Sequence, residues 1–415
     1  MKLLFLTPQL PYPPRQGTTL RNFHLIRSLA QTHTIDLFTM LAPGEELSAE
    51  SPLHNLCRRI VTARQPVRST RERAVDTLRS HLPDMALRLA DPEAGRAVDE
   101  MIRGGKYDVV QAEGIEMARY ALRARRLGKD APRIVFDNHN AEYLLQKRAA
   151  LVDLRRPKRW PAALYSLVQW QKLRHFEERV CRAADAVVVV SAPDQAALRR
   201  LHPSIASVVA PNGVDLSGYT PQALGADPAR PMLVFTGKMD YRPNVDAVLW
   251  FAGQVLPLIQ AAAPNVHLQV VGMNPHARLD VLRGHPAVTL TGAVDDPRPF
   301  VRDAAVYVVP MRVGGGTRFK VLEAMAGGKA IVSTSLGVEG IGVVHERELL
   351  IADRPSDFAA QVVRLLRDQA AGDGDQVEKG ALSRALGAAA YRFVENEYTW
   401  QHIIPRLEAI YQKLQ

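Results

Sequence analysis

VGGGTRFKVLEAMAGGKAIVST, residues 313–334, decides the reading of this chain. Three glycines lead to Thr317 at a helix start, and Phe319, Leu322 and Met325 follow at the spacing of one helix face. A helix amino end offers unpaired N–H groups and a partial positive charge, and glycine lets a ligand approach the backbone, so the natural occupant is an anion. Arg318 and Lys320 add formal charge. The ordinary alternative is a loop capped by Thr317 with solvated cations. These residues leave both readings open, and their surroundings must decide.

Outward from this stretch, apolar and β-branched runs recur with helical stretches between them. KLLFLTP, TIDLFTM, YDVVQAE, RIVFDNH, AVVVVSA and SVVAPNG fill the first half, and MLVFTGK, VHLQVVG, VTLTGAV, VYVVPM and AIVSTS the second. Near-continuous apolar strands alternating with helices imply parallel sheets covered on both faces. The expected fold is α/β, with two doubly wound Rossmann-like domains facing across a cleft and a ligand bound at the carboxyl ends of their strands. Gly, Pro, Asp and Ala replace periodic pattern over residues 213–231, which sets the expected seam. The expected organisation is an acceptor-binding domain over residues 1–213, a linker over 214–231, a donor domain over 232–397 and a C-terminal helix over 398–415 packing back on the first domain. Tyr398, Trp400, Ile403, Ile404, Leu407 and Ile410 give that last segment an apolar face.

The chain's 415 residues, 47% hydrophobic and 23% charged, suffice for two cores and carry no fibrous or disordered signature. Two cysteines, Cys57 and Cys181, support neither a disulfide framework nor a thiolate metal site, which fits a reducing cytoplasm. The apolar start, MKLLFLTPQLPYPP, is too short for a signal peptide, and no uncharged apolar run reaches membrane-spanning length. The net charge of +10 lies in the first half: residues 1–220 hold 33 Lys+Arg against 23 Asp+Glu, and the rest hold 20 of each. An anionic membrane, an anionic substrate or nucleic acid would each suit that asymmetry, as would a merely solvated basic face.

Together the strand-end loops resemble the family 4 glycosyltransferases, retaining enzymes of the GT-B fold, over essentially the whole chain. The motifs run in order: TPQLPYPPRQGTTLRNFHLIRSLA, FDNHNAEY, VVVVSAPDQAAL, VVAPNGVDL, VFTGKMDYRPNVDAVLWF and MRVGGGTRFKVLEAMAGGKAIVSTSLG. The wording looks closest to bacterial sugar transferases associated with exopolysaccharide production and protein sorting. The resemblance implies transfer of a sugar from a nucleotide-diphosphate sugar to a glycan or lipid-linked acceptor, without a further cofactor. It places Gly17 beside the transferred sugar and His139 near the reacting centre, as a donor to a sugar hydroxyl. Asp137, Asn140 and Glu142 become acceptor-side candidates. Lys238, Lys320 and Arg318 become the diphosphate cations, with backbone amides of Gly315, Gly316 and Thr317. Glu323 is expected on the ribose hydroxyls and Val294 on the nucleotide base through its backbone. His139, Lys238 and Lys320 are the implied catalytic set.

Two departures stand out. The glutamate that family members carry eight residues before the helix glutamate is Gly315 here, and the lysine common at the end of the donor-domain opening loop is Pro243. The carboxylate that usually reports on the donor sugar's hydroxyls is therefore absent.

No HExxH, cysteine cluster or DxD at a strand end is present, so no metal is expected; the paired aspartates of AVDDPRP read as turn caps. A dehydrogenase would need GxGxxG with an acidic residue about twenty positions on, and a P-loop enzyme GxxxxGK[ST]; neither occurs. Within the same fold, a nucleotide-sugar 2-epimerase or a non-catalytic glycan-binding partner remains an alternative. Last, residues 146–180 gather Arg148, Arg155, Arg156, Lys158 and Arg159 beside Trp160, Tyr165 and Trp170. This segment is expected either to rest on an anionic inner membrane face, bringing a lipid-linked acceptor to a cytoplasmic enzyme, or to be a helix pair whose aromatics face the core. Nucleic acid is disfavoured, because the rings alternate with Leu and Val instead of forming a stacking platform.

Overall fold

The computed structural model describes every residue except 15, 155–156, 228 and 371–377. The six apolar runs of the first half form strands β1 (Lys2–Thr7), β2 (Thr34–Leu41), β4 (Val109–Glu113), β5 (Arg133–Asn138), β6 (Ala186–Val189) and β7 (Ser207–Val209). A further strand, β3 (Arg59–Arg64), adds to the edge beside β2. Its sequence RIVTAR mixes apolar with charged and polar residues, and all six are half-buried or exposed, as suits an edge strand. The order is β3-β2-β1-β4-β5-β6-β7, parallel throughout.

The second sheet holds β8 (Met232–Thr236), β9 (His267–Val271), β10 (Val288–Gly292), β11 (Val306–Val309), β12 (Ile331–Ser333) and the two-residue β13 (Leu350–Ile351). Its order is β10-β9-β8-β11-β12-β13, again parallel throughout. Central strands in both sheets are buried over nearly their whole length, so both faces are covered and apolar side chains can occupy successive positions. Each sheet has its own core, one around Leu4, Val110 and Phe136, the other around Leu233, Phe235 and Val306.

Two compact units result: Met1–Pro211 with Ile403–Gln415, and Asn212–His402. Residues 214–231, expected as a linker, are part of the second unit and are hydrogen-bonded to it. The Val214 N–H donates to the Tyr398 carbonyl (2.7 Å), Gln222 to Gly327 (2.9 Å) and Gly225 to the Gln369 side chain (3.0 Å). Gly and Pro end the periodic pattern there, but backbone donors still have to be satisfied, and the second unit supplies the acceptors. The last helix, Trp400–Lys413, buries Ile403, Leu407, Ile410 and Tyr411 at one-face spacing, and the Tyr411 hydroxyl donates to Gln111 in the first unit. Among the described residues one helical stretch, Arg242–Ala262, is long and apolar enough to cross a membrane; Val245, Val248, Phe251, Val255 and Ile259 place it in the second core.

Candidate functional site

Each sheet reverses its winding once, between β1 and β4 in the first unit and between β8 and β11 in the second, and loops at such switch points form binding crevices. Chemistry-bearing side chains collect at both places.

In the first unit, Glu113 ends β4 and Asp137 lies near the end of β5, side by side in the sheet and both fully buried. Arg21, on the helix Gly17–Leu29, meets Asp137 with two prongs: Nε to Oδ2 at 3.0 Å and Nη2 to Oδ2 at 2.8 Å and Oδ1 at 3.1 Å. Its remaining donors reach the carbonyls of Ala210 and Pro211, both at 3.1 Å. Burial pushes the Asp137 carboxyl up to about 6, with Arg21 pulling it down and Glu113 pushing it up. Asp137 is therefore not an acceptor contact. It is sealed in a buried ion pair that ties the first helix to β5.

His139 follows β5 and retains partial exposure, with 16% of its side chain accessible. Its Nε2 lies 3.0 Å from Glu113 Oε2. The same carboxylate accepts the Gln111 amide at 2.6 Å and, with its nitrogen turned inward, the Asn22 amide at 2.8 Å. A carboxylate only accepts, so Nε2 carries the proton and neutral His139 offers Nδ1 as an acceptor. It donates at Nδ1 only as the imidazolium, which refines the expected donor role. Gly17 opens its helix and is exposed. Asn140 donates to Glu142 Oε1 at 3.1 Å. Burial, with Glu116 and Glu177 nearby, pushes the Glu142 carboxyl up to about 8, so it is largely neutral at pH 7. Glu177 in turn accepts the N–H groups of Glu142 (3.2 Å) and Tyr143 (3.0 Å) and the Asn138 amide (2.7 Å), capping the helix Glu142–Leu154 from a neighbouring element.

In the second unit, the loop after β11 runs through Gly314, Gly315 and Gly316 into the helix Phe319–Ala326. Its cap falls one residue later than expected: Arg318, not Thr317, is the N-cap, and no side chain caps it. Thr317 is buried, and its carbonyl accepts Asn212 at 3.0 Å. The Arg318 guanidinium bends back to the carbonyls of Gly315 and Leu336, so it braces the glycine loop in this structure. Lys320 Nζ donates to Asn244 Oδ1 at 2.8 Å and lies 3.9 Å from the centre of the Phe235 ring. Burial, then Arg318, holds its ammonium well below the usual lysine range, and Glu323 opposes them. Asn244 donates to the Lys238 carbonyl at 2.8 Å, which joins the β8 loop to Lys320. Gly237, at φ +148, is part of this join: a Cβ there would come 2.7 Å from Asn244 Nδ2 and 2.8 Å from Lys320 Nζ. The Lys238 ammonium itself is 3.5 Å from Asp240, on a side chain 41% exposed. Burial raises the Glu323 carboxyl while Lys320 and Arg298 lower it. Val294 is half-buried against the core.

The expected residues thus fall into two sets, one in each unit; in the second, Val294 follows the edge strand β10 and stands apart from the switch point between β8 and β11. Sequence reasoning passed over Arg21, Gln111 and Glu113 in the first unit and Phe235 in the second. The signal for Glu113 was present: the run YDVVQAE ends in a carboxylate at the edge where ligands bind. Glu113, Asp137 and His139 offer ligand atoms within 4.8 Å of one another, the geometry of a cation site. Arg21 already neutralises Asp137 there, and amides already fill Glu113, so a metal would have to displace existing partners.

Comparison with known proteins follows the same division. Residues 16–217 match the family described as "Glycosyltransferase Family 4", and residues 230–368 match "Glycosyl transferases group 1". A Klebsiella pneumoniae protein described as an "Uncharacterized 44.6 kDa protein in cps region" is 22% identical over 87% of this chain and 90% of its own length. The phosphatidyl-myo-inositol mannosyltransferase of Mycolicibacterium smegmatis is 27% identical over 50% of this chain and 52% of its own length. Among solved structures, sucrose-phosphate synthase from Thermosynechococcus elongatus superposes with a TM-score of 0.73 at 19% identity, covering 100% of this chain and 99% of that one. Anabaena HepE in complex with UDP-glucose does so with a TM-score of 0.66 at 14% identity, covering both chains fully.

Proposed function

We propose that this chain, which belongs to the family 4 glycosyltransferases of the GT-B fold, moves a sugar from a nucleotide-diphosphate sugar to a glycan or lipid-linked acceptor in bacterial envelope or exopolysaccharide synthesis, with retention of anomeric configuration and without a metal. The observation that carries the donor is the uncapped helix amino end behind the glycine loop, with Lys320 in its first turn. Breaking the bond between the anomeric carbon and a phosphate oxygen builds negative charge on the departing diphosphate. Preorganised donors aimed at such charge are worth about 2.7–4 kcal/mol each in water-excluded sites. Burial, then Arg318, lowers the Lys320 pKa, and an arriving diphosphate favours the ammonium that stabilises its charge. Lys238 is free enough to swing onto the same group. Glu323 takes the ribose hydroxyls and the Val294 backbone the base. In the first unit, Glu113 fixes the His139 ring, whose Nδ1 meets a sugar hydroxyl. Retention through front-side attack lets the leaving phosphate accept the acceptor's proton, which leaves Asp137 to its structural pairing. The complex of Anabaena HepE with UDP-glucose, in the same fold, supports this choice of donor.

A cytoplasmic enzyme with such an acceptor benefits from membrane contact. The hairpin of helices Glu142–Leu154 and Trp160–Ala183 exposes Leu151, Leu154, Leu164 and Val168 along with Trp160, a residue 58% exposed. Of the expected aromatic trio only Trp160 is exposed; Tyr165 and Trp170 are half-buried, and Lys147 lies 5.1 Å above the Trp170 ring. Arg159 is paired with the buried Asp153 at 2.7 Å. Arg155 and Arg156 lie outside the described residues. The membrane-facing element is thus more apolar than the cation count suggested, and Lys158 and Arg148 supplement it.

The test is thermal unfolding with a panel of nucleotide sugars, since a ligand of the native state stabilises it by mass action. One or more nucleotide sugars should raise the Tm and the free sugars should not; indifference to the whole panel would remove the donor assignment.

A further inference from the structure

The first unit contains a cavity of about 440 Å³ walled by Arg68, Arg73, Asp84, Arg88, Gln146 and Tyr165. Each of its three arginines has a carboxylate partner. Asp84 accepts Arg68 at 3.0 Å and Arg73 at 2.8 Å, and Arg68 also reaches Asp76 at 2.7 Å, so Arg68 is consumed by carboxylates. Arg73 meets Asp84 through Nε and Nη2, and Arg88 meets Glu116 through Nη2. A guanidinium has five N–H donors, and these two side chains are 48% and 58% exposed, so each keeps donors for an incoming group. Two arginines with donors in hand on one polar wall suit a phosphate or carboxylate.

The cavity also adjoins the reacting end of the unit. Glu116, the partner of Arg88, packs on Gly114, and a Cβ at Gly114 would lie 3.1 Å from Glu116 Oε2 and 3.8 Å from His139 Nδ1. Gln146 stands one helical turn beyond Glu142. Leu164 and Val168, on the wall helix Trp160–Ala183, belong to the exposed apolar face.

We propose that this cavity is the anion subsite of the acceptor. Arg73 and Arg88 hold a phosphate or carboxylate group of the acceptor while its hydroxyl reaches His139. This rests on the transferase reading and narrows it, because the donors that Arg73 and Arg88 keep beyond their ion pairs suit an anionic acceptor better than a neutral one. The shared chemistry has two sources, the phosphate of a lipid-linked acceptor or the carboxylate of an acidic sugar.

The experiment is thermal unfolding of the full chain with octyl phosphate below its micelle concentration, glucuronate or octyl glucoside. It is run on the parent and on Arg73→Gln, Arg88→Gln, Arg88→Lys and, as a control on the same helix as Arg73, Arg71→Gln. Anions should raise the Tm, with about tenfold weaker apparent affinity in each Gln variant, an intermediate value for Arg88→Lys and no change for Arg71→Gln. Octyl phosphate ahead of glucuronate assigns the lipid-linked phosphate, and the reverse order the acidic sugar; either supports the subsite. Equal effect of octyl glucoside, no effect of any probe, or an equal loss in Arg71→Gln overturns it. Nucleotide-sugar shifts should be the same in every variant. Their absence from the parent would fault the donor reading while an anion result stands, and their presence without anion binding would fault this subsite alone.

Discussion

Lys320 is the residue on which the donor reading turns. It is half-buried over an aromatic ring, bonded to one amide and held well below the ordinary lysine range by desolvation and Arg318. Lys320→Ala should therefore cost about 10²–10³ in kcat while leaving the Tm near its parent value, as removal of one charge-stabilising donor does elsewhere. Lys238→Ala should also lower turnover, and more through KM, since that side chain is solvent-accessible before substrate binds. Steady-state kinetics on the two purified variants checks both; near-parental kcat in Lys320→Ala would detach the glycine loop from catalysis.

At the scale of elements, the amino end of the helix Glu142–Leu154 carries a pH signature. Its first residue and the capping Glu177 have carboxyls pushed up to about 8 and about 7, in both cases first by burial, with Glu116 also raising Glu142 and Asn140 and Arg88 lowering it. Folded values above the unfolded ones mean that the native chain holds extra protons between about pH 4.5 and 8. The stability tied to these protons is present in acid and lost as pH rises through 7 to 8. The difference in unfolding free energy between the parent and Glu142→Gln should accordingly fall toward high pH, with a slope approaching about 1.4 kcal/mol per unit for one proton. Urea unfolding from pH 5 to 8.5 reads it, and parallel curves for the two proteins would refute it.

The strands themselves were legible because burial on both faces writes them as unbroken apolar runs; RIVTAR and the two-residue β13 lacked that mark, one being an edge strand and the other too short. Glycine loops were legible by composition, but the start of the helix at Phe319 was not. Thr317 has the chemistry of a cap, yet its carbonyl is engaged by Asn212, a residue distant in sequence. Arg21 with Asp137, and Glu113 with His139, were hidden for the same reason: their partners are 116 and 26 positions away.

For the molecule as a whole, the hairpin bearing Trp160 is the surface on which the proposed membrane contact is tested. Liposome cosedimentation should show binding to anionic vesicles that weakens with salt and weakens further in Trp160→Ser, since an interfacial ring and its cations act together. Binding indifferent to lipid charge, or none, would leave the hairpin a solvated helix pair and favour a soluble acceptor.

Sugar transfer from a nucleotide-diphosphate donor is read from nucleoside-diphosphate release from the stabilising nucleotide sugar, with and without a glycan or lipid-linked acceptor, in EDTA. Release should depend on the acceptor, survive the chelator, fall about 10²–10³ in Lys320→Ala and yield a product with the donor's anomeric configuration. Conversion of the nucleotide sugar without any acceptor would identify an epimerase instead, no turnover of any donor would leave a binding protein, and activity lost in EDTA but restored by magnesium or manganese would contradict the metal-free mechanism.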